Sequence, residues 1–333
     1  MYKTSLILAA GDGKRMKSDL PKVMHKVCGY ELVKHVFNAV NEVSDDAPVV
    51  ITGRRGELMH ALFGDSARYA EQTERKGTAH AVMCGQHFLE GKEGYVTITA
   101  GDMPLITGET FKKLFDIAIK EDMSACVLTA IVEDAFGYGR IIRDEENCVA
   151  GIVEHRDATE EQKKIREINT SIYCFKISDL LDALTKVDSN NAQGELYLTD
   201  TLGILRAQGK KVGACTLDDV TEAMGINDRV QLSQAEKQLR KRINEKIMRD
   251  GITLIDPEST YIEAGVTIEN DTVIYPNNLI TGNTHIGKNC VLYPNNRIDN
   301  STVKDGCVLE AATVVNACVE ENSAVGPYEV IKG

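Results

Sequence analysis

The stretch Leu8-Ala-Ala-Gly11-Asp-Gly13-Lys14-Arg15-Met16, closed by Leu20-Pro21-Lys22, concentrates residues that could do chemistry. Small residues after an apolar run let backbone N–H groups approach a phosphate or a base, and Lys14, Arg15 and Lys22 could meet its charge. The spacing is not that of a Walker A loop, since no Gly-Lys-Ser/Thr follows. Nor is it a dinucleotide fingerprint, because Met16 stands where the third glycine belongs. Read alone, the stretch is also compatible with a Gly-rich turn bearing surface cations. Asp102 is a second candidate. It lies just past the apolar run Tyr95–Thr99, where a sheet ends and a cation site is commonly built, and an Asx-turn before Pro104 is the structural alternative. His25, His35, His80 and His155 lack partners at metal-ligand spacing and read as packing or hydrogen-bonding residues.

These residues need elements to position them. Over residues 1–228, apolar runs at Ser5–Ala9, Pro48–Thr52, Tyr95–Thr99, Ala125–Ile131 and Ile172–Phe175 alternate with helical patterns at Glu31–Val43, Thr78–Leu89 and Thr110–Glu121. Such alternation predicts a Rossmann-like α/β domain on a mixed, mostly parallel sheet, with ligands at the carboxyl ends of its strands. Residues 229–250 follow as a linker helix, free of Gly and Pro, with Leu232, Ala235, Leu239, Ile243 and Ile247 at helical spacing. It carries seven basic and three acidic residues, which reads as a solvated face.

Residues 251–333 repeat. Ile262, Ile268, Ile274, Ile280, Ile286, Leu292 and Ile298 keep a six-residue period, which then slips to Val303, Leu309, Val315 and again to Val319, Val325, Ile331. Hexapeptide periodicity marks a parallel β-helix of the left-handed kind, each hexad giving one short strand and a corner. Ile268–Asn278 also matches Ile286–Asn296, three hexads on, so each coil should have three faces. Asn and Gly between the aliphatic positions suit the corners.

Composition bounds the function. At 333 residues the chain has room for about two domains, and 43% hydrophobic with 26% charged residues is globular. A net charge of −12, no Trp and 5% aromatics disfavour nucleic acid as a partner. No apolar run approaches the ~20 residues of a membrane span, and Leu6–Ala10 is too short for a secretory core. Nine scattered cysteines with no Cys-x-x-Cys read as reduced residues of a cytoplasmic protein.

The loop Leu8-Ala-Ala-Gly-x-Gly-x-Arg-Met…Leu-Pro-Lys22 resembles the signature of sugar-1-phosphate nucleotidyltransferases. Gln72-x4-Gly77-Thr78, Gly101-Asp102-Met-Pro-Leu, Gly137-Tyr-Gly139-Arg, Ile152-Val-Glu154-His, Glu167-Ile-Asn169-Thr, Asn191–Asp200 and Gly225-Ile-Asn227 follow in order. With hexads after them, they make the chain similar to the bacterial N-acetylglucosamine-1-phosphate uridyltransferase subgroup over its whole length. The resemblance implies that UTP and N-acetylglucosamine-1-phosphate give UDP-N-acetylglucosamine and pyrophosphate, with Mg²⁺ as cofactor. It places the uracil at Leu8, Ala9, Ala10, Gly11 and Gln72, beside Gly77 and Thr78. Arg15 and Lys22 meet the triphosphate as the catalytic cations, Ala100, Gly101 and Asp102 border the substrate, and Asp102 and Asn227 ligate Mg²⁺. Gly139, Glu154 and Asn169 line the sugar pocket. A homotrimer joined through the β-helix is also implied, as is a role in cell-wall precursor synthesis.

Ala100 replaces a residue that is typically aromatic in the subgroup, and Ala79 replaces the second glycine of its Gly-Thr-Gly-His. The subgroup's acetyltransferase site is formed further along a longer β-helix, so that second activity is expected to be absent here. Two alternatives stay open: transfer to another sugar phosphate such as glucose-1-phosphate, and a non-catalytic sensor of nucleotide sugars.

Overall fold

A computed structural model of the protein describes residues 1–333 apart from Asp12, Glu146 and Ala192. The chain divides into two compact units, one of residues 1–25 with 32–228 and one of residues 26–31 with 229–333.

The first unit is built on nine strands: β1 (Tyr2–Leu8), β2 (Val49–Thr52), β3 (Arg68–Glu71), β4 (Gly94–Ala100), β5 (Ala125–Ile131), β6 (Arg140–Arg143), β7 (Val149–Val153), β8 (Glu167–Lys176) and β9 (Val212–Thr216). Their order is β9-β5-β8-β4-β1-β2-β3, with β6 joining β8 and β7. Along that row β8 alone runs antiparallel to its neighbours, so the sheet is mixed and mostly parallel. Period-2 alternation splits each central strand between two cores. Ile7 and Val50 point to one face, where they pack with Val36, Phe37, Phe111 and Phe115. Leu6, Val49 and Ile51 point to the other, with Val82, Leu89, Leu180 and Leu202. Both faces are therefore covered by helices, which is why β1 and β2 read as continuous apolar runs.

Four strands escape the sequence reading. β3, β6, β7 and β9 are four or five residues long, and β3 and β6 carry arginines at an end. Their apolar stretches are too short and interrupted to register as periodic.

The second unit opens with the helix Arg229–Arg249 and continues into three parallel sheets of five, five and four short strands, the architecture of a left-handed β-helix. Val314, not the expected Val315, points into the core, so the repeat shortens by one residue before each of Val303, Val314 and Val319. Leu279 pairs with Arg297, 18 residues on, whereas Arg297 pairs with Thr313 and Thr302 with Cys318, 16 residues on. Ile262, Ile280, Ile298 and Val314 stack inside one sheet, all essentially buried. Corners fall on Asp271, Asn277, Asn289, Asn295, Asn316 and Asn322, whose φ values of 51–69° lie in the left-handed region that Asn and Asp tolerate best after Gly. Inside, Asn296 Nδ2 donates to Asn278 Oδ1 at 2.9 Å, so two buried amides form a ladder between coils. Ile243 and Ile247 of the helix pack on this core.

Residues 26–31 break the simple division at residue 228. They form a two-stranded hairpin whose tip, Cys28 (φ 44°) and Gly29 (φ 88°), is held by unit-two partners. Glu236 Oε2 accepts from Cys28 N at 2.7 Å, and Cys28 O accepts from Ala264 N at 3.0 Å. The bonds join residues more than 200 positions apart, so no local pattern announces them. Among the described residues no helix is long and apolar enough to cross a membrane, and all nine cysteines are free.

Candidate functional site

A cleft of about 460 Å³ lies at the carboxyl edge of the parallel strands of the first unit. Its floor begins with Leu8, Ala10 and Gly11 at the end of β1. Gly101 N donates to Leu8 O, and Ala9 N to Ile51 O, both at 2.9 Å. Ala9 and Gly101 are thereby buried in packing behind the floor, and neither is among the residues that line the cleft.

Lys22 enters from the same loop. A Cβ on Gly13 would stand 2.4 Å from Lys22 Cβ, so the second glycine of Gly-x-Gly makes room for that side chain. Lys22 Nζ donates to Asp102 Oδ2 and, at 3.2 Å, to Asn227 Oδ1. Asp102 follows β4, and its backbone carbonyl accepts from Ile226 N at 2.9 Å, which draws Asn227 alongside. The Lys22 and Asp102 side chains are only 14% and 15% exposed, so the pair is strengthened by a lowered dielectric.

On the next wall, Gln72 follows β3 and is buried. Its amide nitrogen donates to Gly77 O at 3.1 Å and lies 3.2 Å from His80 Nδ1. Thr78 Oγ1 accepts from Leu198 N at 2.9 Å, and Leu196 O accepts from Ala79 N at 2.9 Å. These bonds hang the segment Glu195–Thr199 beside the start of the helix Thr78–Gly85. Gly77 has φ 109°, and a Cβ there would lie 2.3 Å from Leu196 O. Gly77→Ala is therefore expected to cost about 2–4 kcal/mol, from a Gly-only conformation plus a backbone clash. Denaturant unfolding is the check, and an unchanged midpoint would contradict it.

The remaining wall carries Glu154, Asn169, Ser171 and Tyr173. Asn169 N donates to Gly139 O at 2.9 Å, and Asn169 Nδ2 to the Tyr173 hydroxyl at 2.8 Å. A Cβ on Gly139 would approach Ile152 Cγ2 to 3.0 Å and Glu154 Oε1 to 3.4 Å, so only glycine leaves this corner uncrowded. Burial, reinforced by Asp157 and Asp200, raises the Glu154 carboxyl above the ordinary carboxylate range. An ionised carboxylate accepts hydrogen bonds that its acid form does not, so ligand affinity at this wall should fall as pH drops through the raised titration. Glu154→Gln should flatten that dependence. A KM–pH profile identical in both proteins would remove Glu154 from the ligand's contacts.

Of the residues expected from sequence, the cleft gathers Leu8, Ala10, Gly11, Lys22, Gln72, Gly77, Thr78, Ala100, Asp102, Glu154 and Asn169. Gly139 and Asn227 touch it through the bonds above. Arg15 is not brought in: it lies exposed on the turn Lys14–Met16, which is anchored by the buried Met16 instead. Arg75, Ser171, Tyr173 and Tyr197 line the cleft unforeseen. β8 is bulged between Asn169 and Ile172, with Ser171 at φ 64°, so no regular alternation announced Ser171 and Tyr173.

Residues 5–166 match the family described as the MobA-like NTP transferase domain. The chain is 49% identical over all 333 residues to the bifunctional protein GlmU of Clostridium beijerinckii, covering 73% of that protein. The chain belongs to the GlmU family. GlmU of Caldanaerobacter subterraneus subsp. tengcongensis is 47% identical over 328 residues, 98% of this chain and 71% of that one. A crystal structure of UDP-glucose pyrophosphorylase complexed with UDP-glucose superposes with a TM-score of 0.60 at 19% identity, over 73% of this chain and all of that one, a likeness of fold. As a GlmU-family protein with a nucleotidyltransferase domain, the chain is a uridylyltransferase with UDP-N-acetylglucosamine pyrophosphorylase activity.

Proposed function

We propose that this cleft moves the uridylyl group of UTP onto N-acetylglucosamine-1-phosphate. The uracil lies against Leu8, Ala10, Gly11 and Gln72, beside Gly77 and Thr78. The sugar lies at Gly139, Glu154 and Asn169. The observation that carries the reading is the convergence of Lys22, Asp102 and Asn227 on one point of a cleft with such walls at its sides.

An oxygen of the sugar phosphate attacks the α-phosphorus of UTP, and the bond from that phosphorus to the bridging oxygen breaks. The electron pair leaves on pyrophosphate. The nucleophile is already ionised, so the chain need supply no base. What remains is alignment and neutralisation of charge. Lys22 is the cation held at the reacting centre. Arg15 is the second cation we assign to the triphosphate, and among the described residues its side chain makes no ion pair that would hold it elsewhere.

The Lys22 ammonium also serves as a stand-in that tests the metal. Asp102 and Asn227 turn a carboxylate and an amide oxygen toward one positive charge, a hard-oxygen donor pair. Among the described residues no cluster of three or more His, Cys, Asp or Glu could hold a metal by itself. Mg²⁺ commonly takes one or two protein oxygens and fills its shell with water and phosphate, so the donors fit it. Bound there, Mg²⁺ would supply charge neutralisation at the phosphates.

Turnover of a panel of sugar-1-phosphates with UTP tests the reading. N-acetylglucosamine-1-phosphate should lead glucose-1-phosphate by a large factor, because a site built to hydrogen-bond an acetamide is left unpaired by an analogue lacking it. Equal turnover would assign the cleft to another sugar.

The second unit is proposed to assemble the chain as a homotrimer, the count resting on the family resemblance. Tyr261, Leu279, Tyr293 and Val308 are 37–45% exposed on its sheets, apolar area that closed cyclic symmetry would bury. Light scattering at micromolar concentration should give three times the chain mass, and a monomer would contradict the assignment.

A further inference from the structure

The bulge in β8 borders the cleft. Asn169 pairs with Thr129 of β5 and Ile172 with the adjacent Leu128, so Thr170 and Ser171 are two residues more than the ladder can hold. They meet different surroundings. Thr170 is buried, and its hydroxyl donates to Leu128 O at 2.7 Å, which ties the bulge to β5. Ser171 is exposed and lines the cleft with Glu154, Asn169 and Tyr197. Bulges beside active sites commonly re-aim a side chain in this way.

Ser171 keeps that place at a cost. Its φ of 64° lies in the left-handed region, which glycine adopts freely and a residue with a Cβ does not. Asn169 holds the backbone there: its Oδ1 accepts from Ser171 N at 2.9 Å, while its Nδ2 donates to the Tyr173 hydroxyl at 2.8 Å. Burial raises the Tyr173 phenol far above its ordinary range, and hydrogen bonding to Asn169 and Ser171 offsets this only in part. Tyr173 is therefore a neutral support under the bulge. A hydroxyl has one donor and two acceptor positions, so a contact with Tyr173 leaves Ser171 able to serve a ligand as well. Glycine would suit the backbone better, which makes the hydroxyl the one thing the serine contributes.

We propose that Ser171 is a specificity-determining residue, its hydroxyl hydrogen-bonding a neutral polar group of the sugar, a ring hydroxyl or the acetamide. The assignment rests on the uridylyl-transfer reading above, which puts the sugar at Glu154 and Asn169. Backbone strain held at a ligand wall fixes a polar group in place before the ligand arrives.

Stability and specificity should move in opposite directions. Ser171→Gly should keep or raise the melting temperature, since glycine relieves the left-handed backbone. Its KM for N-acetylglucosamine-1-phosphate should nonetheless rise about five- to tenfold, with KM for UTP unchanged. Ser171→Ala keeps the Cβ and loses only the hydroxyl, and should show the same rise. Glucose-1-phosphate, which lacks the acetamide, and deoxy analogues of N-acetylglucosamine-1-phosphate then locate the partner. For the analogue missing that group, wild type and Ser171→Gly should have equal KM. A loss of the same factor with every analogue would overturn the assignment, as would a KM for N-acetylglucosamine-1-phosphate unchanged in either variant. A lower melting temperature in Ser171→Gly, with kcat reduced alike for every sugar, would make Ser171 a structural residue only. Absence of turnover in the wild-type protein would sink the functional reading itself, and this assignment with it.

Discussion

Lys22→Ala is expected to retain the fold and lose about two to three orders of magnitude in turnover, the usual effect of deleting a donor aimed at developing charge. The position explains why so much hangs on one side chain. Lys22 Nζ is hydrogen-bonded to Asp102 and Asn227 in a half-enclosed cleft, so its charge is held in place before substrate arrives. The fold should survive because the Lys22 backbone is secured separately, by the bond from His25 N to Lys22 O at 3.2 Å and by Pro21 O accepting from Met24 N at 2.9 Å. Circular dichroism and kcat together are the check. Near-normal turnover in a folded variant would remove Lys22 from the mechanism.

Asp102→Asn should be as damaging, by a different route. The amide keeps roughly the same shape and can still accept from Lys22, but it loses the negative charge that a hard divalent cation requires. Activity at ordinary Mg²⁺ should fall by about two orders of magnitude or more, and half-saturation should move to higher Mg²⁺. Asp102→Ala should show no Mg²⁺-dependent turnover. A Mg²⁺ titration that overlays the wild-type curve would place the metal elsewhere.

The two variants touch residues that sequence found by different means. Asp102 lies just past the strong apolar run of β4, and strand ends are where an α/β sheet presents its ligands, so pattern marked it as a candidate. Pattern marked Lys22 only as one of three cations in the loop after β1, and its role came from family resemblance. Asn227 was not marked by pattern. It is 205 residues from Lys22, and only the bond from Ile226 N to the Asp102 carbonyl brings it to the site, so its role came from family resemblance. The sugar wall is similar, since Glu154 only follows a five-residue strand and Asn169 sits on a bulged one, and the period-2 signal of both is weak. The β-helix was the most legible part, because its coils repeat one chemical solution, an aliphatic residue inside and an Asn, Asp or Gly at the corner; only the slip near Val314 was placed one residue late, since Val314 and Val315 are equally aliphatic. The hairpin at residues 26–31 was the least legible, since its partners, Glu236 and Ala264, lie in a segment more than 200 residues away. Of the two cations in the motif, Arg15 lies exposed on the turn Lys14–Met16 while Gly13 makes room for Lys22 in the cleft.

Phosphorus NMR of the wild-type chain with UTP, N-acetylglucosamine-1-phosphate and Mg²⁺ follows both products in one tube. The resonances of UDP-N-acetylglucosamine and pyrophosphate should rise in equal amounts as those of the two substrates fall, and chelating the metal should stop them. Spectra that stay unchanged with active, folded protein, with this sugar and with every other sugar-1-phosphate offered, would contradict uridylyl transfer and leave a nucleotide-sugar-binding protein in its place.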